Sequence, residues 1–370
     1  MNLCAIVEAG DPLWLEMLRF IPQHDFHHLP GYVALEAGRR GGQACAFVYR
    51  EGEAAFLVPF VQSAVPLTLQ PRRVIQADAL SPYGYAGPLV NAPGGEEQRN
   101  AFVAKALARM VDLLRERGVC TVFIRFHPLL VPPLEPFQAL GTLVLHGETV
   151  WADLRQSPEE LWSDTRKTFR NSINRCERNG CKFAMDPAGE FFGDFLRLYH
   201  ETMRRVGAAP EYFFPEIYFR KMQQALGTGF QLAHVRNPAG VIVSSGLFTV
   251  CAGIVQYHLT GNSLDETGME ASKLLLHGVR RWGHEHGCEK FHLGGGVGAR
   301  NDSLFLFKSG LSSGRAPFYS WRIIVDEKVC GTLCRQWEKL NQEPADGADG
   351  FFPPYRKPSA VYRSISDRSE

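Results

Sequence analysis

A lysine set in an apolar run is a group whose chemistry burial changes, and this chain has one in Asp302-Ser303-Leu304-Phe305-Leu306-Phe307-Lys308. Its ammonium either snorkels to water along its own stem or, partly desolvated, neutralises an oxyanion as it develops. Just upstream, His292-Leu293-Gly294-Gly295-Gly296-Val297-Gly298 follows a strand-like run. Three glycines admit positive φ and let a ligand approach the backbone closely. Their spacing is not a dinucleotide fingerprint, which leaves a substrate-lining loop or a merely flexible one. Amine attack on an ester or thioester carbonyl needs a positioned neutral amine, an oxyanion stabiliser and a route for the proton. Lys308 suits the second role, and Asp302 and His292 are candidates for the third.

A second chemistry-bearing stretch is the basic run Arg166, Lys167, Arg170, Arg175, Arg178 and Lys182, opposed only by Glu177. Arginine forks match phosphate oxygens bidentately, so Arg166, Lys167 and Arg170 are candidate contacts to a pyrophosphate or a nucleic-acid backbone. The alternative is a solvated helix face.

Other chemistries find little support. The pattern Arg/Gln-x-x-Gly-x-Gly/Ala that cradles an acyl-CoA pyrophosphate occurs at Arg39-Arg40-Gly41-Gly42-Gln43-Ala44. There it precedes a strand-like run, whereas the mechanism needs it to follow a strand and open a helix, so it reads as a chance match. No GxSxG or HExxH occurs. The nine cysteines lack zinc-site spacing, so no metal is expected. His24, Asp25, His27 and His28 cluster, and the expectation for them is surface or loop histidines.

Two lobes must position these residues. In the first, the apolar runs Ala44–Tyr49 and Ala54–Val61 form a hairpin, Ser81–Pro88 is a Gly/Pro/Tyr loop, Glu96–Gly118 has helical period and Thr121–Phe126 is a strand. In the second, Thr149–Leu154 is a strand and Ser157 caps one helix running to about Asn179. Helices at Phe195–Arg205 and Glu216–Leu226 follow, then strands at 230–235, 241–250 and 253–260, a helix at Ser272–Gly287 and strands at 290–293 and 320–325. The expected division is residues 1–148, 149–335 and a tail, 336–370, laid over the surface. A ligand cleft is expected between the lobes, with Tyr83 and Tyr85 walling it from the first.

Composition bounds the rest. The 370 residues hold 40 Lys and Arg against 39 Asp and Glu, a net charge of +1, so broad attraction to DNA is not encoded. An odd number of irregularly spaced cysteines fits reduced thiols. No apolar uncharged run reaches about 18 residues, and Glu8, Asp11 and Glu16 stand where an export signal would be basic and then apolar. A cytoplasmic protein without stable membrane insertion is expected.

The chain resembles the Fem-like branch of the GNAT acyltransferases, which includes the aminoacyltransferases of peptidoglycan bridges and proteins tied to exopolysaccharide systems. The resemblance is carried by His28-Leu29-Pro30-Gly31-Tyr32, Pro82-Tyr83-Gly84-Tyr85-Ala86-Gly87-Pro88, Arg125-Phe126-His127-Pro128, the group Tyr199, Thr202, Met203 and Arg205, then Tyr257-His258-Leu259, Gly294-Gly295-Gly296 and Leu306-Phe307-Lys308. It implies an α/β (α+β) fold, a tandem of two GNAT-like lobes, each a mixed, mostly antiparallel sheet flanked by helices. The implied activity is transfer of an aminoacyl group from aminoacyl-tRNA, or of an acyl group, to an amine of a cell-envelope precursor or related polar metabolite, small or nucleotide-linked, without a cofactor. Acyl-CoA as donor to an amino sugar of an exopolysaccharide is the alternative, and a non-catalytic binding protein a third. By resemblance Lys308, beside Phe307, is the oxyanion lysine. Arg204, Arg205 and Tyr212 fall where the family touches nucleotide-sugar phosphates, and Tyr257 and Gly295 line the substrate. The chain lacks the long helical hairpin with which some bridge enzymes hold tRNA.

Overall fold

A computed structural model describes residues 2–70, 76–264, 266–345 and 350–358. In chain order the elements are β1 (Asn2–Glu8), α1 (Pro12–Phe20), α2 (Pro30–Arg40), β2 (Gln43–Glu51), β3 (Ala54–Ala64), β4 (Ala77–Leu80), β5 (Leu89–Asn91), α3 (Glu96–Glu116), β6 (Val119–Arg125), α4 (Glu135–Leu140) and β7 (Thr142–Asp153). There follow α5 (Pro158–Asp164), α6 (Lys167–Arg178), β8 (Lys182–Asp186), α7 (Phe192–Arg205), α8 (Glu216–Leu226), β9 (Phe230–Arg236), β10 (Ile242–Cys251), β11 (Ile254–Asn262), α9 (Glu266–Glu285), β12 (Lys290–Gly294), α10 (Ser303–Lys308), β13 (Gly314–Ile324) and α11 (Glu327–Asn341).

By packing, the chain forms two units. One comprises residues 1–22, 27–145 and 319–370, the other 23–26 and 146–318. These bounds differ from the division expected at 148 and 335: of the expected tail, the described residues 336–345 and 350–358 group with the first unit. Trp321, Ile323 and Val325 lie in the first unit's core. Tyr355 is buried there too, its hydroxyl donating to the buried Asp78 carboxylate at 2.5 Å, and Arg356 Nε donates to the same carboxylate at 2.5 Å. The end of the expected tail, residues 359–370, lies outside the described residues.

The first unit's sheet runs β1-β2-β3-β4-β6, then the Ser320–Ile324 end of β13, with β5 also on β3. All these pairs are antiparallel except β4 with β6. Alternation along β2 and β3 explains its two cores, because successive side chains point to opposite faces. Phe47, Tyr49, Phe56 and Phe60 meet α3, while Ala46, Val48, Leu57 and Val61 meet α1 and α2. Contrary to the surface expectation, Asp25, His27 and His28 are buried. His27 rings against Tyr32, Tyr85 and His127.

The second unit's sheet runs from the later part of β7 through β12, β11, β10 and β9 to β8, and here too one pair alone, β11 with β12, is parallel. That pairing ends at Gln256 opposite His292. From Tyr257 onward β11 runs on without it. Helices α6 and α9 bury Phe169, Ile173, Leu275 and Val279 with Val243, Phe248 and Phe291 of the sheet. α7 packs on β10 and β11, at a point where Gly261 is required: a Cβ there would lie 2.2 Å from the Leu198 carbonyl carbon.

The single helix expected from Ser157 to Asn179 is two. Ser157 and Glu160 close a capping box as the spacing predicts. The helix then breaks at Thr165 and Arg166, which are extended. Thr165 Oγ1 donates to the carbonyls of Leu161 and Leu311, and the buried Arg280 guanidinium donates to the same two. These bonds compete with continuation of the helix.

Candidate active site

α10 begins because Asp302 caps it: one carboxylate oxygen accepts from Phe305 N and the other from Val297 N, both at 2.9 Å. The helix then carries Lys308 at its last residue. Lys308 is only 6% exposed, and its Nζ donates to the Gly295 carbonyl at 2.6 Å. The ammonium also lies 5.3 Å from the centre of the Tyr257 ring, a cation–π arrangement. The glycines make this geometry reachable. Gly294 has φ of 75°, and a Cβ on Gly296 would sit 2.2 Å from the Arg300 carbonyl and 2.3 Å from the Asp302 carboxylate.

Electrostatics follow from burial. Burial pulls the Lys308 ammonium down to about 7, against which the Asp302 charge pulls it up. Burial alone would raise the Asp302 carboxyl, but backbone donors at Phe305, Val297 and Leu304, then the Lys308 charge, bring it below its ordinary value. Asp302 is therefore a standing carboxylate that caps and holds charge, and a poor proton acceptor. Tyr257 is raised by burial, opposed by the hydroxyl hydrogen bond with Thr260.

Both ring nitrogens of His292 have protein partners. Fully buried, it has Nδ1 2.8 Å from Gln256 Oε1 and Nε2 2.9 Å from Thr149 Oγ1. It ties β7, β12 and β11 together at the last rung before β11 and β12 cease to pair. Gln256 and Thr149 carry no motif, and only the buried histidine on the neighbouring strand gives them a role.

The structure thus brings together Lys308, Asp302, Gly295 and Tyr257, with Phe307 reaching Phe169 of α6 at 5.6 Å. Arg204 and Arg205 lie on the exposed last turn of α7. Arg205 donates to the Asn262 carbonyl and to Thr202 Oγ1, both at 3.3 Å, at the end of β11. Tyr212 is 40% exposed, and its carbonyl accepts from the Tyr199 hydroxyl. Tyr83 and Tyr85 belong to the first unit, where Tyr85 meets His27 and His127 and the Tyr83 carbonyl accepts from Tyr32.

Of the basic run, Arg170 is diverted. Its Nη1 donates to the carbonyls of Trp162, Ser163 and Thr165 at 2.8 to 3.1 Å, satisfying the end of α5. Arg166 and Lys167 are exposed. A cavity of about 500 Å³ opens elsewhere in this unit, lined by Trp151, Asp153, Glu160, Asp164 and Ser312 among others, and shares no residue with the Lys308 group.

Residues 163–300 match the family model described as an acetyltransferase (GNAT) domain. The crystal structure of FemX shares the fold at a TM-score of 0.63, with 12% identity over 82% of this chain and 95% of that one. L-PGS from Bacillus licheniformis matches at 0.51, with 16% identity over 88% and 96%. The C-terminal domain of a putative lysylphosphatidylglycerol synthetase from Agrobacterium fabrum matches at 0.50, with 16% identity over 85% and 91%. No curated protein matches the sequence significantly. The chain carries a GNAT domain, is an acyltransferase and resembles the Fem-like branch. No helix among the described residues is long and apolar enough to cross a membrane.

Proposed function

We propose that this GNAT-fold acyltransferase moves an aminoacyl group from aminoacyl-tRNA to an amine of a cell-envelope precursor, with Lys308 holding the oxyanion. The observation that carries the reading is the buried Lys308 amine, fixed at 2.6 Å on the Gly295 carbonyl. The neutral acceptor amine attacks the ester carbonyl, forming the C–N bond and a tetrahedral alkoxide. Lys308 donates a hydrogen bond to that oxygen. As the C–O bond breaks, the ribose hydroxyl leaves with the proton that the amine releases. Asp302 pulls the lysine toward its charged form against burial, while the glycine loop fixes its direction.

The junction between β11 and α9 favours this donor over acyl-CoA. A pyrophosphate cradle requires a strand, a glycine-rich turn and a helix N-terminus. In that place the chain reads Ser263-Leu264-Asp265-Glu266-Thr267-Gly268-Met269-Glu270, three acids and no cation. Such a sequence offers a diphosphate neither a glycine-rich run nor a cation of its own. The arginine-glycine run at 39–44 lies instead between α2 and β2. Acyl transfer from CoA, to an amino sugar of an exopolysaccharide, is the second reading, favoured by the acetyltransferase description of the matched domain. The name of the Agrobacterium fabrum relative, a putative lysylphosphatidylglycerol synthetase, agrees with the first.

The test pairs Lys308→Ala with two donors. With charged tRNA and a labelled amine acceptor, turnover is expected to fall by about 10² to 10³, the usual effect of losing one oxyanion donor, while tRNA affinity is kept. Unchanged turnover would remove the lysine from the mechanism. Transfer from acyl-CoA that survives RNase would replace the donor.

A further inference from the structure

We infer that the outer face of α6 is the docking stripe for the RNA phosphate backbone of the donor, an inference that rests on the aminoacyl-tRNA reading above. The helix turns Phe169, Ser172, Ile173 and Cys176 inward. That leaves Lys167, Asn171, Asn174 and Arg178 outward, at spacings of four, three and four, which is one straight line on a helix. Arg166 stands exposed just ahead of it.

Structure sorts the six cations of the basic run in a way their spacing does not. Arg170 is used by the carbonyls of α5, and Arg175 pairs with Glu270 of α9. Among the described residues neither Lys167 nor Arg178 has a carboxylate partner. The line from Lys167 to Arg178 therefore reads cation, amide, amide, cation, with the exposed Glu177 a quarter turn or so to one side of it and the paired Arg175 to the other.

Length and position suit a nucleic-acid strand. Lys167 to Arg178 spans about 16 Å at 1.5 Å per residue, long enough to follow more than one phosphate of a single strand. Its N-terminal end lies against the turn that follows Lys308: Arg166 N donates to the Gly310 carbonyl at 2.9 Å, and Phe169 meets Phe307. A strand laid along α6 would thus deliver its end beside the proposed oxyanion lysine.

The chemistry of the stripe selects RNA over an anionic lipid surface. Helices that lie on membranes bury apolar side chains among acyl tails, and no large hydrophobic residue of α6 is exposed. Asparagine amides between cations bond phosphate and ribose oxygens, the contacts that position a protein on a backbone without reading sequence.

The experiment measures binding of uncharged bulk tRNA to the full chain at salt from 50 to 200 mM, for wild type, for Lys167→Glu/Arg178→Glu, and for Lys221→Glu/Lys339→Glu as a charge-matched control on α8 and α11. The stripe variant is expected to bind at least tenfold more weakly and to lose about 1 to 2 from the slope of log affinity against log salt. The control binds like wild type. Turnover with an aminoacyl-adenosine, which has no phosphate, stays unchanged in the stripe variant and so reports an intact fold and site. Equal loss in the control, loss of binding to anionic vesicles alone, or loss of turnover with aminoacyl-adenosine overturns the stripe. If wild type transfers from tRNA and the stripe variant does so equally well, the stripe fails while the donor reading stands. If wild type binds no tRNA and transfers from acyl-CoA, the donor reading itself fails and takes the stripe with it.

Discussion

Two opposed demands meet at Lys308, because an oxyanion needs its proton and a buried position resists one. Burial lowers the ammonium to about 7, so the charged form is present below that pH and lost above it. The rate constant for acyl transfer is therefore expected to descend as pH rises past about 7. Asp302 acts in the opposite sense, raising the lysine. Asp302→Asn keeps a side chain able to cap α10 but removes the charge, so the descending limb moves to lower pH. A limb that stays in place would show that another group sets it. Linkage runs the other way: the unfolded lysine binds a proton that the folded one gives up, so this group's destabilising effect is full below about 7 and eases as pH rises toward the ordinary lysine range. The lysine was legible from its apolar flanks in the sequence. Its acceptor was not, since nothing in the spacing says that the carbonyl thirteen residues back turns to meet it.

At the scale of elements, the short helix and its glycine loop act as one device. Gly296→Ala puts a methyl 2.2 Å from the Arg300 carbonyl and 2.3 Å from Asp302, so the loop must shift and carry the cap with it. Turnover is expected to drop by at least tenfold while far-UV circular dichroism is retained, since α10 is six residues long. Wild-type turnover would mean that the loop is free to move. Periodicity and caps made α3, α7, α8 and the meander β9 to β11 readable, because each is specified by residues within its own span. The break between α5 and α6 is specified from elsewhere. Arg280, more than a hundred residues on, satisfies the Leu161 carbonyl, and no local signal foretells it. The strand β1 is hard to read for a related reason: seven residues without polar–apolar alternation become a strand by pairing with β2.

For the molecule as a whole, the closing segment is an anchor. Asp78, fully buried, accepts from Tyr355 Oη, Thr121 Oγ1 and Arg356 Nε, and Arg356 Nη2 also reaches the carbonyls of Ser63 and Ala64 at 2.9 Å. Asp78→Asn leaves Arg356 without its counter-charge and is expected to cost roughly 3 kcal/mol, the low end for a broken buried pair. The midpoint of thermal unfolding falls by several degrees, and residues 350–358 become cleavable by protease. A variant as resistant as wild type would show that the segment is held instead by its packing on α11, where Trp337 clusters with Tyr355 and its indole donates to the Lys357 carbonyl at 3.2 Å. The proline and aromatic content of this stretch suggested a tail lying on the surface, because one sequence does not show that the acid for Arg356 waits at position 78. The same topology constrains birth of the chain. The core around Phe47 and Phe56 also needs Trp321 and Ile323, so a ribosome must finish the intervening unit before the opening strands can complete their hydrophobic interior. Until then that half-made sheet is exposed to aggregation, and a pause in translation near residue 320 would prolong the danger.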